Sequence, residues 1–276
     1  MERLDLKSSV VVVSSLTKRW LLLGALPFVV GTLFYISSVI PVLPETWRSF
    51  IFVLVFLVSV TLTLLMILLS PVRLPPGVAR WRVILSPTVF VAGSFLFYSL
   101  LGSVLARFVS VTVIMLALLV FVMRLDSSDA LDPLRGANRT VRLGRLMNLL
   151  GVFFATVFLF GIGRFISLPV VVSAIIFGGL LSIVQYEALQ QSGADRALIV
   201  RATVALTALG IETYIGLSFL PTPFLVNATV LMIICFAIGR SAVRILSGDV
   251  GTRGLKFGLT AAAVLVVLVL ATARWL

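Results

Sequence analysis

Residues 83–124 read VILSPTVFVAGSFLFYSLLGSVLARFVSVTVIMLALLVFVMR. Between Arg82 and Arg124 the only charged side chain is Arg107. As a single α-helix the stretch would run about 63 Å at 1.5 Å per residue. That is about twice the roughly 30 Å hydrocarbon core of a bilayer. It is therefore read as two spans, 83–105 and 108–124, folded into a tight hairpin at Leu105-Ala-Arg107.

The same pattern extends in both directions. Apolar runs of spanning length occupy 20–41, 50–70, 146–163, 166–186, 200–220, 223–240 and 256–274. Glycine and proline punctuate the close pairs, at Gly161-Ile-Gly-Arg164 and at Pro221-Thr-Pro223. With the hairpin this makes nine spans. The expected fold is an all-α polytopic membrane bundle, with a polar N-terminal segment 1–19 and one transmembrane domain over 20–274.

Composition points the same way. Apolar residues make up 61% of the 276 and charged residues 12%, and the mean hydropathy is +1.22. Soluble domains lie nearer about 45–50% and about 25%. Such a chain cannot cover itself with polar surface, so a water-soluble globule is excluded, and so is a disordered chain. The first apolar run is long enough to span, so an uncleaved first helix is expected rather than a secretory signal.

The net charge of +12 would suggest nucleic acid in a soluble protein. Here it reads as topology. Four of the 22 Lys and Arg residues, Arg48, Arg107, Arg164 and Arg274, fall on one set of span ends, and the remainder fall on the other. Cytoplasmic ends carry the excess of basic residues. The N-terminus is therefore expected in the cytoplasm and the C-terminus outside, in an inner or plasma membrane of bacterial type. Trp20, Trp47, Trp81 and Trp275 fall at the expected interfaces.

A short pattern recurs on the odd-numbered spans: Phe28-Val-Val-Gly-Thr-Leu-Phe-Tyr35, Phe90-Val-Ala-Gly-Ser-Phe-Leu-Phe97, Ala155-Thr-Val-Phe-Leu-Phe160 and Ile211-Glu-Thr-Tyr214. Four parallel hairpins followed by one extra helix would produce it. Thr32, Ser94, Thr156 and Glu212 would then be equivalent positions.

Glu212 is the acidic residue well inside a span, roughly 12 Å below the outer end at Leu220. Insertion of a charged side chain at the centre of a span costs about 2.5–3.5 kcal/mol. That cost is met by a partner, by water or by protonation. Tyr214, Asn227 and Thr229 lie at similar depth and join Glu212 as candidates for binding an ion or a polar substrate group. Alternatively, Glu212 is packing glue between helices. Secondary candidates are Glu187 and Arg201, which could pair at the cytoplasmic edge, and Arg107 and Arg164 at the outer interface. The polar patch Gln185, Tyr186, Glu187, Gln190, Gln191, Asp195 is otherwise a solvated helix end. The two arginines either snorkel to headgroups or clamp a phosphate or carboxylate.

Much chemistry drops out. The chain has no histidine and a single cysteine, Cys235, so haem, zinc and disulfide sites have no ligand set. No cofactor or metal is expected. Asp126, Asp129 and Asp132 form one aspartate set among arginines, which reads as a charge-balanced loop. Asn138-Arg-Thr140 and Asn227-Ala-Thr229 match the glycosylation pattern in the wrong places. Gly254-Leu-Lys-Phe-Gly258 is a weak helix-contact motif, and Leu259–Ala271 suits a bundle edge or subunit contact.

Three functions compete: a permease for a small or amphiphilic solute, coupled to protons through Glu212; a non-catalytic accessory subunit of a larger membrane complex; and a membrane-embedded lipid-modifying transferase. The expected partners are the lipid bilayer and other membrane subunits, and not nucleic acid. The scarcity of polar groups inside the spans weighs against the enzyme.

Overall fold

The computed structural model describes residues 25–36, 45–69, 80–127, 133–165, 168–248 and 252–273. Trp20, Trp275, Asp129, Asp132 and the segment 1–19 lie outside them, as do the side chains of Trp47, Asp126 and Arg164. The described residues form helices and connecting turns, without strands. In chain order the helices are α1 (Ala25–Ile36), α2 (Glu45–Leu69), α3 (Arg80–Ser99), α4 (Val104–Ser127), α5 (Pro133–Phe165), α6 (Val170–Leu189), α7 (Arg196–Ser218), α8 (Phe224–Leu246) and α9 (Thr252–Thr272). A 3₁₀ turn, Gln190–Ser192, follows α6 and ends on Gly193, whose φ of 71° suits a residue without Cβ.

Six of these helices hold a segment long and apolar enough to cross a membrane, beginning at Val104, Arg142, Val170, Arg196, Phe224 and Gly254. Three others, Ala25–Ile36, Phe50–Leu65 and Ile84–Ser99, are apolar but shorter within the described range. This is the architecture of a multi-pass membrane protein.

Several boundaries differ from the sequence expectation, two of them in ways that change the reading. The α3–α4 hairpin turns at Leu100–Ser103, not at Leu105–Arg107. Ser103 is the reason: its Oγ accepts from Ala106 N at 3.0 Å and its carbonyl from Arg107 N at 3.1 Å, so it caps α4. Arg107 therefore sits inside α4, and its Nε reaches back to the Leu101 carbonyl at 2.7 Å. The run between Arg124 and Arg145, expected as a loop, is helical except at 128–132, which is not described. Pro133 opens α5, where its missing N–H costs no helical hydrogen bond.

The chain divides into two compact units, Met1–Met147 and Asn148–Leu276. In the first, Phe95 of α3 is the hub. Its ring lies 5.2 Å from Phe34 of α1, 5.2 Å from Phe52 and 5.7 Å from Phe56, both of α2. A Cβ on Gly31 would collide with Met115, which seats α4 against α1. One on Gly144 would stand 2.9 Å from Ser86 Oγ. On α2, Ser59 and Thr63 are buried and turn their hydroxyls to their own backbone at 2.7 Å.

The second unit is built on reciprocal small-residue contacts. Ile211 of α7 fills the space over Gly178 of α6, and Leu181 of α6 fills that over Gly210 of α7. Gln185 of α6 lies over Gly239 of α8. Without water inside a bilayer to drive helices together, close backbone approach at glycine supplies the packing. No side chain in the spanning stretch of α9 is buried, so this helix stands at the margin of the second unit. Of its Gly254/Gly258 pair, Gly254 faces Arg244 and Gly258 is open.

The four positions aligned by the recurring pattern do not share an environment. Thr32 and Glu212 are exposed, while Ser94 and Thr156 are fully buried.

Candidate functional site

One end of the second unit gathers the end of α5, the start of α6, the end of α7 and the start of α8. A cavity of about 100 Å³ lies there, lined by Leu159, Phe160, Gly163, Leu168, Val170, Ser173, Tyr214, Ser218, Phe224 and Asn227. Tyr214 is its central wall. The ring is stacked between Phe160, at 4.4 Å and 21°, and Phe177, at 5.2 Å and 19°. The rest of α7 explains this placement. Ile199, Thr203, Gly210, Tyr214 and Leu217 recur at helical spacing and form its buried face.

Hydroxyls on these helices mostly bond their own backbone. Thr203, Thr213, Ser218, Thr229 and Ser241 each donate to a carbonyl four residues back at 2.7–2.8 Å. Ser173 does not. Its Oγ is buried, makes no hydrogen bond of good geometry and lies next to the Tyr214 phenol, facing the cavity. A buried hydroxyl without a partner costs about 1–3 kcal/mol.

Asn227 is held from both ends. Its Nδ2 donates to the Leu217 carbonyl at 3.1 Å, and its Oδ1 accepts from Thr222 Oγ1. It thereby ties the end of α7 to the turn that starts α8. An amide has two donor hydrogens and two acceptor lone pairs, so one of each remains.

The sequence candidates are thus distributed unevenly. Tyr214 and Asn227 meet in the cavity. Thr229 is half-buried on α8 and spends its hydroxyl on Leu225 O. Glu212 is exposed on the opposite face of α7, in line with Arg201, Ala205, Ala208 and Gly216. Arg201 is exposed too, whereas Glu187 is 3% exposed and takes a hydrogen bond from Asn148 Nδ2 of α5. Glu187 is therefore a buried interhelical contact rather than part of a solvated end. Gln185, two residues earlier on α6, donates to the Cys235 carbonyl at 3.2 Å. Arg107 joins its carbonyl bond to a position 5.8 Å over the Tyr98 ring.

Ser173, Asn148 and Gln185 escaped the sequence reading as site residues. Serine and asparagine are ordinary in such helices, and only the missing backbone bond separates Ser173 from its neighbours. Among the described residues no three His, Cys, Asp or Glu side chains converge as a metal site would require. Comparison with protein families, with characterised proteins and with solved structures finds no match to this chain.

Proposed function

We propose that the protein is an accessory subunit of a larger membrane assembly, crossing the bilayer nine times with its N-terminus in the cytoplasm and its C-terminus outside. One observation carries the reading: Glu212 is exposed on α7, six residues before the helix ends, or roughly 9 Å at helical rise. Around it the exposed face is Ala205, Ala208, Leu209 and Gly216. A carboxyl group on an apolar face inside a bilayer is costly unless something meets it. Ala208 and Gly216, one turn to either side, leave room for another helix to come close. The partner that fits is a transmembrane helix carrying Lys, Arg or a hydrogen-bond donor at matching depth.

The test is the mass of the particle extracted with its surrounding lipid. The wild-type chain is expected in a particle of fixed stoichiometry with other chains. Glu212→Leu and Ala208→Phe, which remove the carboxyl and block the approach, release it. A wild-type chain found alone, or only with copies of itself, contradicts the proposal.

A second reading, a permease for a small solute, rests on the cavity beside Tyr214. Its coupling to protons would run through Glu212, which does not line that cavity. Solute flux into proteoliposomes tests it, and an unchanged pH profile in Glu212→Gln removes proton coupling through this residue.

A further inference from the structure

We propose that the cavity between α5, α6, α7 and α8 binds a small, neutral, hydroxyl-bearing molecule. The reading goes beyond assembly and does not depend on it, because these residues lie on the face of α7 opposite Glu212.

Four observations converge. The first is the Ser173 hydroxyl, which is 2% exposed, faces the cavity and forgoes the backbone bond that its neighbours make. It can donate one hydrogen bond and accept others. The second is the Asn227 amide, fixed by Thr222 and Leu217 O, with one donor and one acceptor position still open. A fixed amide beside a phenol and a serine hydroxyl offers both donors and acceptors, which suits a hydroxyl group because it needs both.

The third is charge. None of the residues lining the cavity is ionisable to an anion or cation near neutral pH, so an ion entering it would lose hydration without compensation. The fourth is size and wall. About 100 Å³ equals the room of roughly three liquid waters, enough for a molecule such as glycerol. Phe160 and Phe224 give its carbon atoms an apolar surface. Two sources of such a group can reach the end of a helical bundle: a free polyol in solution, and the glycerol headgroup of a neutral lipid.

Equilibrium binding separates them. The full chain is held in amine-oxide micelles, which carry no hydroxyl groups, and titrated with radiolabelled glycerol and separately with radiolabelled monooleoylglycerol. Saturable binding of at least one probe is expected, weakened about tenfold or more in Ser173→Ala and in Tyr214→Phe. Ser182→Ala, whose hydroxyl bonds its own backbone at Gly179 O, leaves it unchanged. Binding of glycerol assigns a free polyol, and binding of monooleoylglycerol alone assigns a lipid headgroup. Ser173→Ala gives up no backbone hydrogen bond and at most its contact with the Tyr214 phenol, so a thermal unfolding midpoint close to wild type reports that the fold is intact. Absence of saturable binding for both probes overturns the proposal. So does binding that Ser173→Ala and Tyr214→Phe leave untouched, since the probe would then sit elsewhere.

Discussion

Asn227 shows why polarity inside a span does not by itself mark a functional group. Its amide closes the end of α7 onto the start of α8 through Leu217 O and Thr222. Asn227→Ala would remove both of these hydrogen bonds, at about 0.5–1.5 kcal/mol each, and a loss of about 1–3 kcal/mol is expected. Thermal unfolding in detergent measures it, and an unaltered midpoint would deny the structural role. Ser173→Ala is expected to be close to neutral in the same assay, because its hydroxyl bonds no backbone carbonyl and only adjoins the Tyr214 phenol. Residue type and depth made Tyr214 and Asn227 legible, since few polar groups lie in that layer of the chain. They could not reveal that Glu212 faces the other way. Tyr214 follows Glu212 by two residues, which on a helix turns the side chain through about 200°. Which of the two faces inward depends on what α6 and α8 offer, and that is a tertiary fact.

At the scale of the element, the apolar content of the spans is plain in the sequence, because a spanning segment leaves little choice of residue, and six of the helices reach spanning length among the described residues. The ends were harder. The α3–α4 turn was expected at Arg107, the one charge in the run, yet it forms at Leu100–Ser103. Ser103 supplies the cap there, and the guanidinium of Arg107 reaches the Leu101 carbonyl. A capping serine wins over a charge because the first N–H groups of a helix must find acceptors, while a long arginine can satisfy itself from within the helix. Ser103→Ala is expected to destabilise the hairpin by about 1 kcal/mol, seen as faster amide exchange over 104–107. Unchanged exchange would remove the cap from the explanation. The α6–α7 contact makes a second prediction. Gly210→Leu has no room against Leu181, Phe177 and Cys235. A loss of about 1–3 kcal/mol or more is expected from overpacking. Gly258→Leu, on the open face of α9, is expected to be tolerated.

For the whole molecule, hydropathy places the chain in lipid, and charge placement carries the proposed orientation. Cysteine accessibility tests the orientation, with Cys235 replaced by Ala. Single cysteines in the turn after α6, at Gly193, are expected to react only from the cytoplasmic side, and those at Pro221 only from outside. The reverse pattern, or reaction from both sides in sealed vesicles, would break the topology. The sequence left the molecular role open because a carboxyl group at a given depth reads alike whether it meets a cavity, a neighbour or another protein. In the structure it lies on an exposed, small-residue face of α7. The central claim is that another chain covers this face. A lipid-soluble carbodiimide, which modifies carboxyl groups inside the bilayer, tests it directly. Glu212 should be modified about tenfold more slowly in the native membrane than in the purified chain returned to lipid, a difference of about 1.4 kcal/mol in effective protection. Equal rates in the two would mean that lipid, and not a partner, faces Glu212, and the assembly reading would fail.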